Sequence, residues 1–182
     1  MKSTVKITAC GIISALAVVL MLGTNIPIFL YTVPALVGMF YIVPAIEFGT
    51  KWAFMCYGVT AVLTLILPSE REALVLFIGF LGYYPILKML IERIPNRAVG
   101  YVVKFVTFNV AVIGCYYVIV RVLGINAFEN ERFSLLVTEI LLLAAGNIAF
   151  WIYDFALTRI IRVYFIKFRK TVRKALGIKG KY

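Results

Sequence analysis

The sequence predicts an all-α, polytopic membrane protein, a six-transmembrane-helix bundle with both termini in the cytoplasm (N-in/C-in). Three observations predict it. The chain is 63% apolar and 15% charged, with a mean hydropathy of +1.00, whereas soluble domains run near 45–50% apolar and about 25% charged. Six apolar runs approach the roughly 20 residues that cross about 30 Å of hydrocarbon. All but three of the 19 Lys and Arg residues fall on the side shared by the termini.

The first run covers about Val5–Gly23 and ends at Gly23-Thr24-Asn25-Ile26-Pro27. Lys2 and Lys6 would suit a signal peptide, yet no small-residue cleavage site leads into a soluble domain and more apolar runs follow, so a retained helix is expected. The second run covers about Phe29–Ile46 and stops at the polar stretch from Glu47 to Lys51. The third covers about Trp52–Leu67, before Pro68-Ser69-Glu70-Arg71-Glu72, and the fourth about Ala73–Ile91, before Pro95-Asn96-Arg97. The fifth covers about Val99–Leu123, closed by Gly124-Ile125-Asn126, and the sixth about Phe133–Phe165. None shows the period-two alternation of a membrane β-barrel. The loops are too short for a second domain, so residues 1–182 read as one integral membrane domain.

With the N-terminus inside, only Arg71, Arg121 and Arg132 lie outside. The net charge of +11 is therefore topological and calls for no nucleic acid. Residues 163–182 form a basic cytoplasmic tail. From Val163 to Leu176 it reads as an amphipathic helix, with Tyr164, Phe168, Val172 and Leu176 on one face and Lys167, Lys170, Arg173 and Lys174 on the other. Such a segment lies on anionic membrane lipid, and docking onto a cytoplasmic partner is the alternative.

A polar group at membrane depth costs several kcal/mol unless paired, so each is a functional candidate. The sixth helix carries Glu139, Asn147 and Asp154 within about a quarter-turn of one another, with Trp151 on the same stripe. Glu139 belongs near the outer surface, Asn147 near mid-depth and Asp154 toward the inside. The fifth helix adds Asn109, Tyr116, Tyr117 and Arg121, and the fourth adds Tyr83 and Tyr84. Pro85 should kink the fourth helix and free a carbonyl near Leu81. Each has a plainer reading. Asn109 and Asn147 can bridge helices, and Asp154 can pair with Arg159 or another inner-side cation such as Lys104. The outer loops, with Asn25, Glu70, Arg71, Glu72, Asn126, Glu129, Asn130, Glu131 and Arg132, have a slight acidic excess that disfavours a polyanionic ligand.

Several chemistries are excluded. No phosphate-binding loop ending in Gly-Lys-Ser/Thr occurs, so ATP hydrolysis is not expected of this chain. With no His, imidazole-dependent phosphatases and proteases drop out. Cys10, Cys56 and Cys115 lack metal or redox spacing, so no metal, cofactor or disulfide is expected. Polar groups gathered toward the outer half, without a catalytic set, suggest a membrane protein that binds a small molecule.

Two local patterns sharpen this. In helix one, Gly11-Ile12-Ile13-Ser14-Ala15 is a small-xxx-small motif, with Cys10 and Ser14 as a parallel pair. In helix two, Pro34-Ala35-Leu36-Val37-Gly38 is followed by Pro44 and Gly49. Together with size and topology, these resemble the substrate-binding (S) component of energy-coupling factor (ECF) vitamin transporters, with Val43 and Glu47 as departures from the family's helix-two pattern. The resemblance implies capture of a small water-soluble vitamin or related micronutrient at the cell (plasma) membrane of a bacterium. A transmembrane scaffold subunit and two ATPase subunits would then drive delivery inward. It implies a pocket open to the outside, built from Tyr83, Tyr84, Tyr116, Arg121, Glu139 and Asn147 under Asn25 and Arg71. It implies docking to the scaffold through Gly11, Ala15, Cys10 and Ser14. A metal as cargo is not expected, because that branch relies on histidine.

Two other classes compete. A non-transport accessory subunit would have its polar residues paired between helices. A lipid-modifying enzyme would need two converging carboxylates, whereas Glu139 and Asp154 lie about 22 Å apart along one helix.

Overall fold

The computed structural model describes residues 3–67, 69–124 and 135–177, with the backbone alone for 135–140 and 142. Every regular element among them is helical. α1 (Ser3–Met21) ends in two short 3₁₀ turns, and α2 (Thr32–Phe40) and α3 (Ile42–Glu47) follow. The second apolar run is therefore broken, not continuous as expected. Pro44 has no N–H to offer the Phe40 carbonyl, and the chain turns at Tyr41, whose N–H bonds to the Gly38 carbonyl at 3.2 Å. Gly49, at φ 98°, lets the chain reverse into α4 (Thr50–Ile66).

The fourth run is α5 (Arg71–Leu76), a π-helical turn at Phe77–Leu81, and α6 (Tyr84–Ile91). Pro85 opens α6, so the kink expected from it is present. Gly38 of α2 is pressed against that kink, where a Cβ would run into the Leu81 carbonyl oxygen, with Pro85 Cγ 3.4 Å away. Asn96 starts α7 (Arg97–Tyr117) by accepting the Ala98 N–H at 3.0 Å. α7 runs into a π-helical turn at Val118–Val122. α8 (Leu135–Val163), a further π turn at Tyr164–Phe168 and α9 (Arg169–Ala175) complete the described chain.

Among the described residues, three stretches are long and apolar enough to cross a membrane: Ser3–Asn25, Arg71–Ile91 and Arg97–Val122. Thr32–Glu47 and Thr50–Ile66 are shorter apolar helices. One core joins α1, α2, α4 and the Phe77 turn through Met21, Val37, Tyr41, Cys56 and Phe77. The other joins α3, α6, α7 and α8 through Ile42, Phe80, Tyr84, Phe108, Phe150 and Leu157. The exterior is apolar as well: Ile28 is 82% exposed and Ile66 77%, with Val110, Val122 and Ile166 also bare. Three charged side chains, Lys88, Lys104 and Asp154, are buried beneath that exterior. A bare apolar exterior over a few paired, buried charges is a distribution that suits a lipid surround.

Candidate functional site

The polar interior is concentrated where α6, α7 and α8 meet. Lys88 lies one turn beyond the Pro85 kink, so its side chain enters the bundle and is fully buried. Its Nζ donates to Asp154 Oδ1 at 2.6 Å and pairs with Glu92 Oε1 at 2.7 Å. Lys104 of α7 closes the figure, with Nζ 3.1 Å from Asp154 Oδ2 and 3.0 Å from Glu92 Oε1. Two ammonium groups and two carboxylates thus alternate in a neutral ring, and the Tyr84 hydroxyl adds a third donor to Asp154 at 2.6 Å. Glu92, just past α6, is the member that water reaches. Burial pushes its carboxyl up, but Lys88 and Lys104 outweigh that and hold it below the usual glutamate value.

Asp154 therefore has Lys104, the inner-side cation named for it, and also Lys88, a second cation expected on that side but not singled out. Arg159 instead lies over the Phe155 ring at 4.9 Å. Trp151 is exposed and does not share the buried stripe. One turn from the ring toward the start of α8 stand Phe80, Phe108 and Phe150, with Phe108 and Phe150 stacked at 4.5 Å. Beyond them, Asn109 and Asn147 exchange two hydrogen bonds of 3.0 Å. Each amide also donates to the carbonyl one turn back, Phe105 and Leu143, at 2.8 Å. This is the helix bridge that was the plainer of the two readings of Asn147.

The residues expected to form an outward pocket are distributed as follows. Tyr84 donates to Asp154, and Asn147 exchanges hydrogen bonds with Asn109. Tyr83 is half-buried, edge-on to Tyr57 at 6.1 Å and to Phe80 at 6.2 Å. Tyr116 and Arg121 are exposed, as are Asn25 and Arg71. The Asn25 amide donates to the Leu22 carbonyl at 3.0 Å. The side chain of Glu139 lies outside the described residues, as do Asn126, Glu129, Asn130, Glu131 and Arg132. Two ties at that end escaped the sequence reading: Tyr31 donates to Glu72 at 2.7 Å, and the Glu70 N–H donates to Thr24 Oγ1 at 3.3 Å. They join the segment between α1 and α2 to the start of α5 and the residue before it.

The helix-one motif divides in two. Ser14 donates to the Cys56 carbonyl at 3.2 Å and Cys10 Sγ lies 4.0 Å from the Trp52 carbonyl oxygen, both inside the seam between α1 and α4. Gly11 and Ala15 remain exposed, and a Cβ on Gly11 would meet nothing within 4 Å. Cys10 and Ser14 are thus removed from the expected docking face, because their side of the helix is taken up by α4.

Glu47 is the remaining surprise. Its side chain is 4% exposed, and it is met by three residues of the tail region. Arg169 Nε lies 3.1 Å from Oε1, the Tyr164 hydroxyl donates to Oε1 at 3.3 Å, and Arg173 Nε is 3.7 Å from Oε2. A lone acidic residue in an apolar run, and arginines four apart in a basic tail, were the signals that could have paired them. No known protein family, curated protein or solved structure matches this chain.

Proposed function

We propose that the protein is the substrate-binding component of an ECF-type importer. It sits in the plasma membrane as a six-span bundle with both termini inside. There it captures a small water-soluble vitamin or related micronutrient and works with a transmembrane scaffold subunit and two ATPase subunits. The observation that carries the reading is the division of α1. One side of the helix is closed by α4, while the other leaves Gly11 and Ala15 bare among exposed Ile7, Ile12, Leu16 and Val19. Small residues there let a partner helix come close. The helix-two motif supports it too, since Pro34 is buried and Gly38 allows α2 to cross the kinked fourth span.

A second reading has an observation of its own. The Asn109–Asn147 exchange and the charge ring satisfy polar groups between helices, as an accessory subunit of a membrane complex would require. Purification from cells grown in rich medium, followed by mass spectrometry of bound small molecules and of associated proteins, separates the two. A bound micronutrient with ATPase partners supports the importer. Neither being present favours the accessory subunit. Within the importer reading, Gly11→Leu abolishes uptake and leaves substrate binding intact. Loss of binding in that variant would refute the docking role of α1.

A further inference from the structure

The basic tail has no part in that proposal, and its geometry gives it a task. The expected amphipathic face does not survive intact. The π turn at Tyr164–Phe168 shifts the register, burying Tyr164 and leaving Phe168 exposed. The cations divide as well. Arg169 and Arg173 turn inward to the buried carboxylate of Glu47, and Arg169 also covers the Phe165 ring at 5.1 Å. Lys167 and Lys174 stay exposed, in the same segment as the exposed apolar side chains of Phe165, Ile166 and Phe168.

We propose that Glu47 is the seat of the tail, and that the seated tail presents Lys167, Lys174 and the flanking Phe165, Ile166 and Phe168 to the anionic phospholipid headgroups of the membrane surface. Charge and position both select that occupant. A buried carboxylate keeps its counter-ions, so the two arginines are held in the molecule. What remains outward is cationic and apolar together, the combination that rests at a headgroup boundary. The segment follows α8 directly, which keeps it near the bilayer surface. The inference rests on the membrane part of the proposed function only and is independent of substrate and ATPase.

The test uses the full chain in nanodiscs, with an environment-sensitive fluorophore on Ala175→Cys. Ala175 is exposed, and the natural cysteines are buried. Nanodiscs of phosphatidylcholine are compared with nanodiscs containing phosphatidylglycerol. The anionic lipid should shift the emission to the blue, and salt should reverse the shift. Lys167→Gln with Lys174→Gln should lower the ratio of lipid-bound to free tail by roughly fivefold per lysine. Emission that is the same in both bilayers, or insensitive to the lysine pair, overturns the lipid surface and leaves that face to an acidic protein. The seat is read separately in phosphatidylcholine alone. Glu47→Gln should release the tail and shift the emission to the red, and Arg169→Gln with Arg173→Gln should do the same from the other side. An unchanged emission in both refutes Glu47 as the seat.

Discussion

Asp154→Asn is the sharpest probe of the interior, because the carboxylate is the junction of α6, α7 and α8. The asparagine keeps one carbonyl oxygen, enough for the Tyr84 hydroxyl, but withdraws the charge from two ammonium groups at 2.6 and 3.1 Å. A hydrogen bond to a charged group is worth about 1.5–3 kcal/mol, and removing one member of a buried pair costs about 3–5 kcal/mol. Lys88 retains Glu92, which is partly screened by water, so the lower end applies: about 3 kcal/mol. Lys88→Met should cost a similar amount by leaving an excess negative charge. The double variant is the decisive one. It leaves Lys104 against Glu92, a neutral pair, so its loss should fall short of the sum by at least ~2 kcal/mol. Unfolding titrations with dodecyl sulfate in mixed micelles measure all three. Losses that add within about 0.5 kcal/mol would show that the ring does not act as a unit, and the electrostatic account would fail.

Other outcomes follow from the same geometry. A Cβ on Gly79 would collide with Cys115 Sγ, so Gly79→Ala should destabilise by about 1–3 kcal/mol and Cys115→Ala in the same chain should restore most of it, as thermal unfolding would show. Asn109→Ala and Asn147→Ala should each cost about 1 kcal/mol, with the double variant little worse than either; a further large loss of substrate affinity for Asn147→Ala alone would return that residue to the binding site. The Glu92 carboxyl is depressed by Lys88 and Lys104, so its contribution is present above the ordinary glutamate value and is lost as pH falls through the lower folded-state value; Glu92→Gln should flatten that acid limb in a pH series of unfolding curves.

The helical class, the first, fourth and fifth apolar runs and the break at Pro85 were legible because they depend on local rules: composition, run length and the missing N–H of proline. Lys104 as a partner of Asp154 was legible from its expected depth on the inner side. Lys88 was covered only by the general expectation of an inner-side cation, because its position near the end of a run reads as an ordinary inner-side charge; no local pattern pairs it with Asp154, 66 residues away. The same reason divides Cys10 and Ser14 from Gly11 and Ala15. The motif spacing places small residues on neighbouring faces, and which face is covered is decided by where α4 lies. Asn147 was balanced between two roles on sequence grounds. The balance moved when α7 put Asn109 opposite it, a contact across 38 residues that no local pattern encodes.

The neutral ring also bears on biosynthesis. Lys88 and Lys104 leave the ribosome well before Asp154, and chains emerge from the N-terminus onward. In the membrane reading, until α8 is delivered the insertion machinery would hold two helices with surplus positive charge and only Glu92 to offset it. A nascent chain truncated ahead of Asp154 should therefore stay bound to translocon or chaperone and be open to quality-control proteolysis, whereas one that includes α8 can be released.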